Sequence, residues 1–133
     1  MTPQEIFNTV AKHLFAQGKR SRSEIGDNLD ICVYRAPDGS KCAVGVLIPD
    51  ACYDPQFEGN NVIALLNQFN DVLPRWMDAN MSLLSALQDV HDTPENWCSE
   101  DRLKDAFRRC ADYYSLDSSI LAELSFPASK ETV

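Results

Sequence analysis

The chain lacks most of the patterns that announce a chemistry. It has no G-x-G-x-x-G, no G-x-x-x-x-G-K-[ST], no H-E-x-x-H, no G-x-S-x-G and no EF-hand loop. With only five glycines in 133 residues, a phosphate-cradling loop is not expected. No apolar run approaches the roughly 18 residues that a membrane helix needs. The N-terminus lacks the basic region and continuous apolar stretch of a signal peptide, so a cytoplasmic location is expected. Histidine is limited to His13 and His91. Cys32, Cys42, Cys52, Cys98 and Cys110 form no C-x-x-C, and the ten-residue gaps between the first three match no common zinc spacing. Their odd number and the absence of a secretion signal predict reduced, buried thiols. Neither a metal nor a cofactor is expected.

Positive charge is also scarce. Twelve Lys and Arg stand against twenty Asp and Glu, a net charge of -8. The deficit is concentrated between residues 23 and 101, where Arg35, Lys41 and Arg75 face fourteen acids. Nucleic-acid affinity comes mainly from Lys and Arg against phosphates, so such a chain is not expected to bind nucleic acid directly. An acidic middle is suited to meeting a basic surface on another protein and speeding the encounter. Residues 1–22 are locally basic through Lys12, Lys19, Arg20 and Arg22.

What is present reads as one ordinary domain, over residues 1–126, with a polar, flexible tail at 127–133. Thr2, Pro3 and Glu5 are a helix start signal: N-cap, first-turn proline and capping-box glutamate. Ile6, Phe7, Val10, Ala11, Leu14 and Phe15 then share a helical face that Gly18 terminates. Ile31 to Tyr34 reads as a short strand, and Pro37-Asp38-Gly39 as a turn. The run Cys42–Ile48 has two readings. It is the second strand of a hairpin, or a buried short helix whose small residues allow close packing.

Further helices are expected from Asn60 or Asn61 through Phe69, from an Asp78 cap through Val90, and from a Ser99 cap through Tyr114. Pro74 breaks the chain between the first two, with Trp76 and Met77 as core plugs. Ile120, Leu121 and Leu124 suggest a last short helix. The fold class is therefore α+β, mostly α: four or five helices around a short β-hairpin or strand–turn element.

Few residues collect into a candidate site. Asp50, Asp54 and Glu58 put three carboxylates on one loop, with Tyr53 and Phe57 as candidate aromatic anchors for a partner. Arg35 and Lys41, with the Lys19–Arg22 run, are candidate phosphate contacts for a small molecule such as a nucleotide signal. An enzyme would need a thiol, for example Cys42 with His91, or the acid–histidine group Asp89, His91 and Asp92 at a helix end. His13 and His91 themselves read as solvated. No heptad seam is present, which leaves a monomer or a symmetric homodimer.

One stretch has a likeness. Tyr34-Arg35-Ala36-Pro37-Asp38-Gly39-Ser40-Lys41-Cys42-Ala43-Val44-Gly45-Val46-Leu47-Ile48-Pro49-Asp50, followed by Tyr53 and Glu58-Gly59, resembles the core of a group of small bacteriophage and prophage proteins. A second shared pattern falls on Leu84, Leu87, Gln88, His91 and Asp92. The likeness spans roughly residues 3–112, and residues 114–133 extend beyond the usual end. It implies a phage accessory protein in the cytoplasm of a bacterial host cell, without implying a mechanism. Such proteins often act by stoichiometric binding to a host protein with a basic surface, for example as counter-defence inhibitors of the anti-CRISPR kind. A non-enzymatic inhibitor is thus the expectation, a nucleotide-binding protein the alternative, and a thiol or Asp–His enzyme a further one.

Overall fold

The computed structural model describes residues 1–23 and 31–127. Of the expected tail at 127–133, all but the exposed Pro127 lies outside the described residues. Five α-helices are present among the described residues: α1 (Pro3–Gln17), α2 (Val62–Phe69), α3 (Arg75–Ala79), α4 (Met81–Asp92) and α5 (Glu100–Tyr113). None is long and apolar enough to cross a membrane.

Helix α1 forms as its sequence dictates. The Thr2 hydroxyl accepts from the Glu5 amide at 3.1 Å, and the Glu5 carboxylate accepts from the Thr2 amide at 2.8 Å. Gly18, at φ 72°, closes the helix by donating to Leu14 O. All six apolar residues of its expected face are fully buried. Helix α5 is equally direct. Ser99 caps it by accepting from the Arg102 amide at 3.1 Å, and Leu103, Ala106, Phe107, Cys110 and Ala111 face inward. Phe107 lies between Phe7 and Phe15, with ring centroids 5.8 and 5.9 Å away. Each fully buried side chain of this size contributes about 1.5–3 kcal/mol relative to exposure.

Helix α4 packs against α1, α2, α3 and α5. Its last carbonyls, which lack intrahelical donors, are satisfied by the segment that follows. Thr93 Oγ1 donates to Asp89 O at 2.8 Å, Asn96 Nδ2 to Val90 O at 3.0 Å and Trp97 Nε1 to His91 O at 2.9 Å. Asn61 is the α2 cap, accepting from the Ala64 amide at 2.8 Å. Pro74 does break the chain, but Arg75–Ala79 turns helical straight after it, with Met77 buried and Trp76 half-buried. Asp78 thus sits inside α3 and does not cap α4.

The expected α+β class with a β-hairpin is corrected: the protein is mostly helical. Among the described residues, extended pairing is confined to a two-residue backbone match of Arg22–Ser23 with Ile31–Cys32, and to an isolated bridge between Arg35 and Lys41. The Pro37-Asp38-Gly39 turn does form, with Gly39 at φ 92° and the Ala36 amide bonded to Ser40 O at 2.9 Å. Beyond Lys41 the chain curls. Val46 N donates to Cys42 O at 3.1 Å, and Gly45–Leu47 forms a 3-10 turn. The short-helix reading of Cys42–Ile48 therefore holds in place of the strand. Gly45 explains the close packing: a Cβ there would stand 2.0 Å from Tyr34 O.

The chain beyond α5 folds back as a strap. Ser115 reverses direction at φ 56°, and Leu116 N reaches Ala111 O at 2.8 Å. The Gln4 amide side chain clasps both backbone groups of Asp117, at 2.8 and 2.9 Å. Leu121 is buried, and Phe126 stacks between Phe15 and Trp97 at 5.5 and 6.1 Å.

Candidate functional site

Two polar networks and a cleft between them collect most of the singled-out residues. The first network is centred on Glu58. Its carboxylate accepts from the Tyr34 amide at 2.9 Å, the Arg35 amide at 3.1 Å and the Tyr53 hydroxyl at 2.6 Å. These are charge-assisted bonds, roughly twice as strong as neutral ones. Glu58 thereby ties the 49–59 loop to the start of the Tyr34–Lys41 turn. Arg35 completes the tie. Its Nη2 donates to Ile48 O at 2.8 Å and pairs with Asp50 at 2.8 Å, while the guanidinium lies 4.6 Å over the Tyr53 ring. Lys41 approaches the same Asp50 at 3.9 Å. Burial and the Glu58 bond push the Tyr53 phenol up to about 12.

The five candidate partner contacts are thus divided. Phe57 is fully buried against Tyr53 and Phe69, with centroids at 5.9 and 4.8 Å. Tyr53 and Glu58 are committed to the network. Asp50 and Asp54 remain outward: the Asp50 side chain is 83% exposed, and exposed Asp54 accepts from the Gln56 amide at 2.9 Å. The candidate phosphate contacts are not brought together either. Arg35 and Lys41 converge on Asp50, whereas Lys19 pairs with Asp38. Lys19, Arg20 and Arg22 instead line a separate hollow of about 580 Å³ with Pro37, Asp38 and Trp97.

The second network is centred on His91, expected at the surface and found fully buried. The Ser21 amide donates to His91 Nε2 at 2.9 Å, which fixes Nε2 as an acceptor. The proton therefore resides on Nδ1, which donates to Asp92 Oδ1 at 2.7 Å. Asp92 also accepts from Gln88 Nε2 at 2.8 Å, and Gln88 Oε1 accepts from the Val44 amide at 3.1 Å. His13 is likewise drawn in: half-buried, it bonds to Lys41 O at 3.1 Å, and burial lowers its pKa.

Cys32, and not the Cys42 considered from sequence, is the thiol beside this pair. Its sulfur and the His91 and Asp92 ligand atoms all lie within 4.8 Å of one another. The chemistry of the trio is nonetheless unfavourable. A nucleophilic thiol needs a base with a free lone pair facing it. Both imidazole nitrogens are engaged, and burial with the neighbouring Asp92 pushes the Cys32 thiol up to about 11. A metal on Nδ1 would transfer the imidazole proton to Nε2, where it would face the Ser21 N–H, donor against donor. Of the remaining thiols, Cys42 and Cys110 are buried, Cys52 is half-buried and Cys98 is exposed, so the expectation of uniformly buried cysteines is corrected. Burial raises Cys42 to about 12 and Cys110 to about 11.

Between the networks runs a cleft of about 420 Å³. Tyr34 and Glu58 line it from the first network, Cys32 and Gln88 from the second, and Val62, Ile63, Ser85 and Asp89 from α2 and α4. No Lys, Arg or His is among the described residues that line it. Sequence reasoning did not assemble this cleft. The signal within reach was that Ser85 and Asp89, four residues apart, share one face of α4. His91 also carried a signal, standing four residues after Leu87 and seven after Leu84 on the apolar stripe. Comparison with protein-family models, curated proteins and solved structures finds no match for the chain.

Proposed function

We propose that this chain is a phage-type accessory protein that binds a bacterial host protein stoichiometrically through an acidic surface, as a counter-defence inhibitor would. The observation that carries the reading is the division of carboxylates on the 49–59 loop. Glu58 anchors the loop from within, which leaves Asp50 and Asp54 held outward on a fixed scaffold. Preorganised, exposed acids of this kind steer a basic partner and fix its register. The same loop leads directly into the residues that line the acidic cleft. The likeness of residues 34–50 to phage and prophage proteins supports the cellular setting. A non-enzymatic role is supported by the engaged nitrogens of His91.

The test is affinity capture from bacterial lysate by the wild-type chain and by a double Asp50→Lys, Asp54→Lys variant. One stoichiometric host protein, released by high salt and lost with the double variant, is the expected result. Undiminished capture by the variant would remove this surface from consideration.

A second reading, an anionic small-molecule binder, has one observation in its favour: the hollow that places Lys19, Arg20 and Arg22 around Trp97. A ligand that binds only the native state must raise the melting temperature. An absent shift with nucleotides at millimolar concentration would set this reading aside.

A further inference from the structure

The cleft between the two networks carries an inference beyond the acidic surface, and it rests on the reading of this chain as a protein binder. Its polar atoms are almost all spoken for. Both Gln88 ends are bonded, the Glu58 carboxylate holds three donors, and Asn61 Oδ1 caps α2. Ser85 and Asp89 are the exceptions. Ser85 Oγ is shielded from solvent and has no hydrogen-bond partner among the described residues. Buried hydroxyls without partners are rare in folded proteins, and each calls for an explanation. One turn further along the same face, Asp89 presents its carboxylate at the rim, exposed and with no salt-bridge partner among the described residues.

The remaining walls fit an aliphatic stem. Tyr34, Val62 and Ile63 line the cleft, and Ile63 is 52% exposed, unusual for a large apolar side chain in this protein. The charge of the lining is of one sign, from Glu58 and Asp89. An occupant should therefore have a cationic head with several donors and an apolar stem. Guanidinium fits this better than ammonium, because its planar fork serves spaced acceptors and it sheds water more easily.

We infer that the cleft is a socket for an arginine side chain of the protein partner, with the guanidinium donating to Asp89 and to a Ser85 hydroxyl that turns outward from its shielded position to meet it, and the stem lying along Val62 and Ile63. Burial and the Asp92 charge raise the Asp89 carboxyl, and a bound cation opposes that rise by favouring the ionised form.

The test needs no partner protein. The full chain is titrated with n-butylguanidinium while backbone amide chemical shifts are followed, with n-butylurea as the neutral match of similar shape. Saturable shifts at Ser85, Asp89 and residues 60–63 are expected for the cation alone. Asp89→Asn should weaken binding about 10-fold or more, as loss of a charge-assisted bond implies. Its melting temperature should be no lower than the wild type's, because Asp89 is exposed, has no salt-bridge partner among the described residues, and carries a charge that burial and Asp92 disfavour in the fold. Ser85→Ala should weaken binding by a smaller factor. Equal shifts with n-butylurea, no saturation with the cation, or undiminished affinity of Asp89→Asn would each overturn the socket. A blocked tripeptide with a central arginine identifies the source. Binding at least as tight as n-butylguanidinium supports a polypeptide, and its exclusion would overturn the partner assignment in favour of a free small cation. Failure to capture a host protein from lysate would leave these results standing, so the two readings fail separately.

Discussion

The Glu58 network and the His91 network make an instructive pair. Each gathers the residue types of an active site: carboxylate, phenol and guanidinium in one, imidazole, carboxylate and thiol in the other. In each, the reactive atoms are turned toward backbone amides. Glu58 holds the amides of Tyr34 and Arg35, and His91 and Gln88 hold those of Ser21 and Val44. The reason lies in the chain between α1 and α2. Among the described residues its ladder is limited to the Arg22–Ser23 match with Ile31–Cys32 and the Arg35–Lys41 bridge, and buried amides must be paired. Side chains supply what a sheet would have supplied. The networks differ in depth: His91 is fully enclosed, whereas Glu58 is half-buried and its loop ends at the surface. What remains available for binding lies at their margins, on Asp54, Asp89 and Ser85, and on the exposed side of Asp50, whose carboxylate also pairs with Arg35.

The comparison is broken most severely at its deeper member. His91→Ala leaves a cavity and an unpaired Ser21 N–H, and should cost about 3–5 kcal/mol, read from denaturant unfolding. A loss under 1 kcal/mol would mean that the imidazole is not the fastener described. At the shallower member, Glu58→Gln presents an amide where carboxylate oxygens met three donors. It should cost about 1.5–3 kcal/mol, the worth of charged hydrogen bonds. Phe126→Ala, which removes the ring between Phe15 and Trp97, should cost about 1–2 kcal/mol, since the ring is only half-buried. An unchanged transition would show that the strap does not contribute to the core.

Thiol labelling sharpens the same contrast kinetically. At neutral pH, Cys98 should react first with an alkylating reagent. Cys32 should lag, because its thiol is raised to about 11, and Cys42 and Cys110 should wait for unfolding. Fast labelling of Cys32 would contradict the reading of the His91 group as inert.

The smallest effect concerns pH. Burial lowers the His13 pKa, so the folded chain holds it neutral where the unfolded chain protonates it. Its contribution is therefore complete above the unfolded value of about 6.5 and is lost as pH falls through the lower folded value. Unfolding titrations between neutral and mildly acidic pH should show this slope in the wild type and a shallower one in His13→Asn.

These networks also mark where the sequence could be read. Helices α1 and α5 were legible because their caps, periodicity and stop signals agree at every level. The Pro37–Gly39 turn was legible for the same local reason. The hairpin was a misreading because nothing local in Cys42–Ile48 separates a strand from a tight turn. Gly45 decides it through a close approach to Tyr34 O, a contact that exists only after folding. The acidic loop was visible as composition. Its division into an inward Glu58 and outward Asp50 and Asp54 was not, because that depends on which backbone amides lie opposite. His91 was misplaced by weighting its polarity over its position after Leu84 and Leu87.

Glu58 fastens the fold whereas Asp89 binds, and one paired measurement tests that division most directly: melting temperature together with n-butylguanidinium affinity for Glu58→Gln and Asp89→Asn. Glu58→Gln should melt lower, and Asp89→Asn should melt no lower than the wild type while losing about 10-fold or more in affinity. An Asp89→Asn protein that melts low, or one that binds the cation as the wild type does, would contradict the separation.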